Sequence, residues 1–87
     1  MPEIHITIRY DGAGLPSQAE LATRHQLEDA LEDEEVGEVV DAGGGMGVMD
    51  IYLDVDDVPA ALARAKVIVA RLGLAARTVV EEAPKPD

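Results

Sequence analysis

Glu3-Ile4-His5-Ile6-Thr7-Ile8-Arg9-Tyr10 is the stretch whose reading decides the fold. Ile4, Ile6, Ile8 and Tyr10 alternate with Glu3, His5, Thr7 and Arg9. A period of two, carried by β-branched residues, belongs to a strand with one buried face and one wet face. Asp11-Gly12-Ala13-Gly14 supplies turn residues that end it. Ser17 then opens a helix, with Glu20 three positions on in the capping-box pattern. Leu21, Leu27, Ala30 and Leu31 form its apolar side, and the pattern runs to about Glu34.

A weaker strand follows at Gly37 to Asp41, built on Val36, Val39 and Val40, and the run Gly43-Gly44-Gly45-Met46-Gly47 interrupts it. Val48 to Val55 alternates again, with Met49, Ile51, Leu53 and Val55 inward and Asp50, Tyr52 and Asp54 outward. Asp56 or Asp57 caps a second helix, and Pro59 is tolerated in its first turn. Val58, Leu62, Ala65, Val69 and Leu72 recur as one helical stripe. Gly73 fits the left-handed residue that closes a helix. Arg77 to Glu82 is a last strand, and residues 83–87 are a flexible tail.

The order β-α-β-β-α-β resembles the split-βαβ, ferredoxin-like arrangement over residues 3–82. The resemblance implies an α+β domain, residues 1–82, with a four-stranded antiparallel sheet in order 4-1-3-2 and both helices on one face. A fold of this kind implies no function by itself. The connections sort to two ends. Asp11–Pro16, Ala42–Gly47 and Gly73–Ala75 make a glycine-rich end; the α1–β2 and β3–α2 connections make an acidic one.

Eighty-seven residues make one small domain. With no Phe or Trp and two Tyr, its core must be aliphatic. The absence of cysteine removes disulfides, thiolate zinc sites and Cys nucleophiles, and fits a cytoplasmic protein. The N-terminal residues lack the basic and apolar regions of a secretion signal. No stretch approaches about 18 consecutive apolar residues, the length that spans a membrane.

Eighteen acids against seven bases give a net charge of −11. No Lys/Arg cluster exists to neutralise a phosphate backbone, which argues against nucleic acid and against anionic membranes. The acid is concentrated: residues 28–38 carry seven carboxylates and no base, and Asp54, Asp56 and Asp57 follow the third strand. Two readings stand side by side. Glu28, Glu32, Asp33, Glu34, Glu35, Asp54, Asp56 and Asp57 form a docking patch for a basic protein, or they serve solubility alone. Carboxylates in the last turn of a helix oppose its dipole, at about 0.3–1 kcal/mol each, so stability would prefer bases there. Asp54-Val55-Asp56-Asp57 offers oxygens to a hard cation but lacks the spacing of a calcium loop, and no metal or other cofactor is expected.

At the other end, the glycines join two strands instead of preceding a helix, which argues for a mobile hairpin and against a phosphate cradle. Asp11-Gly12-Ala13-Gly14-Leu15 resembles the loop after strand 1 of ACT regulatory domains. That resemblance implies a small-molecule site near a subunit interface, with Asp11, Gly12, Gly14, Gly44, Gly45 and Met46 as its candidate residues. On the open sheet face, antiparallel pairing of strands 1 and 3 is expected to set His5 near Asp54, Thr7 near Tyr52 and Arg9 near Asp50, and Tyr52 could centre a homodimer contact. His5 with Asp54 lacks a nucleophile, since Ser17 is taken as a cap, so the expectation is a non-enzyme. The expected function is protein binding by an acidic module, with a bacterial immunity-type inhibitor as its concrete form. The alternative is an ACT-like regulatory domain.

Overall fold

The computed structural model describes residues 2–12 and 14–84. Its elements are β1 (Glu3–Arg9), α1 (Gln18–Asp33), β2 (Glu38–Gly45), β3 (Val48–Asp54), α2 (Val58–Arg71), a short 3-10 turn (Ala75–Arg77) and β4 (Thr78–Glu82). The strands form one antiparallel sheet in the order β2-β3-β1-β4. This is the ferredoxin-like α+β arrangement, in the strand order its sequence implies.

The alternation in β1 and β3 builds the core. Ile4, Ile6, Ile8, Met49, Ile51 and Leu53 are fully buried, and they meet Leu27 and Leu31 of α1 and Ala61, Ala65, Ile68 and Val69 of α2 in one cluster. The intervening strand residues lie on the opposite, open face. Both caps form as their sequences dictate: Ser17 Oγ accepts from the Glu20 amide at 3.2 Å, and Asp57 Oδ1 from the Ala60 amide at 3.0 Å. Gly73, at φ +76°, closes α2.

Four expectations need correction. The register of β1 against β3 differs by two residues, pairing Glu3 with Asp54, His5 with Tyr52, Thr7 with Asp50 and Arg9 with Val48. A slip of two keeps every side chain on its own face, so hydrophobic pattern cannot choose between the two registers. Second, Gly43, Gly44 and Gly45 are strand, not loop: β2 runs on to Gly45, with an irregularity between Val39 and Asp41. The hairpin turn is only Met46-Gly47, at φ +57° and +87°. Two positive φ values make the primed turn whose twist suits a two-residue hairpin.

Third, the buried stripe of α2 is shifted to one side of the expected one, with Ala65 and Val69 common to both and Val58, Leu62 and Leu72 packed at its margin. Ala61, Ala65, Ile68 and Val69 are its buried residues, while Val58, Leu62 and Leu72 are partly exposed. The helix is apolar on several sides, so packing rather than pattern selects the buried stripe. Fourth, the end of α1 is not left without bases. Arg64 of α2 donates to the Glu34 carbonyl and, at 3.4 Å, to the Glu35 carbonyl. Arg71, seven residues further along the same side of α2, pairs with the Glu34 carboxylate. The cations that satisfy the α1 dipole come from the neighbouring helix. Of the expected tail, the Ala83 amide donates to the Glu3 carbonyl at 3.0 Å, and residues 85–87 lie outside the described residues.

Candidate functional site

The acidic end is assembled by four segments: the last turn of α1, the start of β2, the end of β3 and the loop into α2. α1 ends at Glu35, which takes the left-handed conformation at φ +58°, and the Val36 amide returns to the Leu31 carbonyl at 2.9 Å. That pairing is the hydrogen bond of a Schellman-type closure. It seats Val36 in the core and leaves Glu35 pointing outward. Gly37 then passes close beneath β3, where a Cβ would lie 2.6 Å from the Asp54 carbonyl oxygen. This contact draws the two acidic connections together.

The result is a concavity of about 390 Å³ lined by Glu32, Glu35, Val36, Gly37, Glu38, Asp54, Val55 and Asp56. Five of these are acids and none is a base. Across the sheet, Glu38, Asp54 and Glu3 stand in one row on three adjacent strands. Like charges directly opposite one another destabilise a sheet. Asp54 Oδ1 is buried there without a hydrogen-bond partner among the described residues.

The eight expected docking residues divide by what they already do. Glu28 faces Arg24 at 3.5 Å on the flank of α1, away from the concavity. Glu34 is paired with Arg71, whose hydrogen bond holds its carboxyl below the usual carboxylate range. Glu32 Oε2 accepts from the Val39 amide at 3.1 Å, and Asp57 caps α2. Asp33, Glu35 and Asp56 are exposed carboxylates with no bond to another side chain among the described residues. Glu3 and Glu38 join the site from the sheet, and neither is among the eight docking residues expected from the sequence. Glu3 follows from the correct register alone, because it stands opposite Asp54. Among the described residues, no group of three or more His, Asp or Glu side chains is placed to hold a metal ion.

The glycine-rich end is also brought together. The Tyr10 amide donates to the Gly47 carbonyl at 2.9 Å, and Tyr10 Oη donates to the Gly14 carbonyl at 2.6 Å. Pro16 sits beside Gly44, where a Cβ would meet it at 3.2 Å. Leu15 and Met46 project into solvent at 84% and 89% exposure. Asp11 borders a second concavity of about 380 Å³, shared with Arg9, Tyr10, Glu20 and Arg77. Gly12, Gly14, Gly44, Gly45 and Met46 do not line it, and Ala13 of the ACT-like stretch lies outside the described residues.

On the open face His5 does not meet Asp54. Its ring stacks on Tyr52, with centroids 4.4 Å apart and planes within 4°. Nε2 lies 2.7 Å from Asp50 Oδ1 and 3.3 Å from Thr7 Oγ1, while Nδ1 lies 3.8 Å from Glu81. Asp50 and Thr7 share one ring nitrogen. Through His5 and Asp50 the cluster ties β1 to β3. No helix among the described residues is long and apolar enough to cross a membrane. In comparisons with known proteins, no family model and no curated protein matches the chain.

Proposed function

We propose that this chain is a protein-binding module whose acidic end docks on a basic surface of another protein, in the manner of a small inhibitor or immunity-type protein. The row Glu38–Asp54–Glu3 above the acid-lined concavity carries the reading. A solubility role needs charge somewhere on the surface. It does not need carboxylates in register on three adjacent strands, where each weakens the sheet. The bases at this end are already committed to Glu34 and to the end of α1. A lysine or arginine of a partner, set between Asp54, Glu38 and Asp56, would relieve the repulsion. Electrostatic docking of this kind acts mainly on encounter rate and falls with salt. Bait experiments at low and high salt test it: a basic protein retained at low salt and released at high salt supports docking. Retention that ignores salt counts against it.

A second reading rests on the concavity beside Asp11. Asp11 and Glu20 face Arg9 and Arg77 across it, which suits a zwitterion such as an amino acid. Arg77 already holds Glu20 at 2.7 Å, so such a ligand must compete with a formed ion pair. A thermal shift with an amino-acid panel, abolished in Asp11→Asn, supports this regulatory reading; no shift with any member removes it.

A further inference from the structure

The sheet has two edges, and the chain treats them differently. Along β2, the Val39 amide is taken by Glu32 and the Ala42 amide by Asp41 Oδ1 at 2.9 Å, and the strand is irregular between Val39 and Asp41. Occupied backbone groups and irregular pairing are how natural sheets discourage strand addition. Among the described residues, the β4 edge carries no such guard. The Ala83 amide bonds to the Glu3 carbonyl, which fixes the ladder's phase. In antiparallel pairing, bonded and non-bonded residues alternate. Glu81 and Val79 therefore bond to β1, while Thr78, Val80 and Glu82 turn their backbone groups outward. The Thr78 amide closes the preceding turn on the Ala75 carbonyl. Among the described residues, the outward groups of Val80 and Glu82 meet no side chain, and Val79 is 50% exposed.

We propose that two copies of this chain pair antiparallel along β4, with Val80 opposite the partner's Val80 and Thr78 opposite the partner's Glu82. This register joins the sheets of the two copies into one of eight strands. Among the two-fold registers that set outward-turned backbone groups face to face, it is the one that opposes all three of Thr78, Val80 and Glu82. Residues directly opposite share a face of the sheet. Thr78 pairs with Ile8 and Glu82 with Ile4, so both side chains lie on the helix-covered face. Thr78 Oγ1 is buried with no hydrogen-bond partner among the described residues. In the dimer, a turn about its Cα–Cβ bond lets it donate to the partner's Glu82. Glu81 stands opposite the partner's Val79, so no two like charges stand directly opposite each other.

The inference is independent of the docking reading, and salt separates them. Each copy carries a net charge of −11, so screening strengthens self-pairing while it weakens docking on a basic surface. Sedimentation equilibrium across concentration and salt is the test, combined with amide exchange. The expected species has twice the 9.2 kDa mass of one chain and is favoured by salt. In it, exchange at Val80 and Glu82 slows at least tenfold relative to dilute protein. Val80→Pro removes an outward amide, along with part of the Val80 side chain's contact with the core, and should return the monomer. Thr78→Val should weaken pairing severalfold. A 9.2 kDa species up to millimolar concentration overturns the proposal. So does a dimer in which Val80 and Glu82 exchange at the dilute rate, a readout that does not depend on either variant folding.

Discussion

A Cβ at position 37 would lie 2.6 Å from the Asp54 carbonyl oxygen and 2.8 Å from Val55 Cγ1. The obstacles are the last residue of β3, a core-anchored strand, and the buried residue after it, and the nearer is backbone that cannot swing aside. Gly37→Ala should therefore cost about 1–3 kcal/mol, as overpacked sites do. Urea unfolding checks this, and a midpoint equal to the parent's would show that the two connections are not locked together. Met46 makes the opposite case. It holds φ +57° at a hairpin tip with its side chain in water, where Asn or Gly is preferred. Met46→Asn should raise stability by roughly 0.5–1 kcal/mol, read as a higher melting temperature. A lower one would mean that the Met46 side chain has a folded-state contact. The sequence shows neither effect plainly. Gly37 reads as the first residue of a weak strand, and the triplet Gly43–Gly45 draws attention away from the two residues that make the turn.

Elements were legible where a local signal fixes them. The alternation around Ile6 and Ile51, the caps at Ser17 and Asp57 and the closing Gly73 all lie within a few residues of what they determine. What required the structure is pairing at a distance. The β1–β3 register hid because a shift of two preserves the buried set. Glycine reads as loop, so the C-terminal half of β2 read as hairpin. The cap on α1 hid because Arg64 and Arg71 lie some thirty residues or more from the carbonyls and carboxylate they serve. That last arrangement has a pH signature. The Arg71 hydrogen bond lowers the Glu34 carboxyl, and the same contact raises Arg71. A carboxyl lower in the folded state than in the unfolded one contributes stability above its unfolded value. The contribution is lost as pH falls through its folded value. Arg71→Gln should therefore lower the melting temperature at neutral pH, with the difference from the parent closing as pH drops below about 4. A difference that stays constant down to pH 2 would place the role of Arg71 elsewhere.

At the scale of the whole molecule, charge is sorted rather than scattered. Arg24, Arg64, Arg71 and Arg77 are bound to acids or carbonyls of their own chain, and the row Glu38–Asp54–Glu3 faces outward with none of them beside it. The sequence showed that acid is concentrated in 28–38 and 54–57. It did not show which of those residues are spent internally. The structure separates Glu28, Glu34 and Asp57, which serve the fold, from Asp33, Glu35 and Asp56, which do not.

The docking claim is tested most directly by two triple charge reversals of equal net charge. One carries Asp33→Lys, Glu35→Lys and Asp56→Lys at the acidic end. The other carries Asp11→Lys, Asp29→Lys and Asp41→Lys elsewhere on the surface. Each is used beside the parent protein as bait for basic proteins at low salt, after circular dichroism has established that it folds. Loss of the captured protein from the first variant alone, with retention by the second, is the result the acidic-end site predicts. Equal loss from both would show that overall charge, and not this site, accounts for the binding.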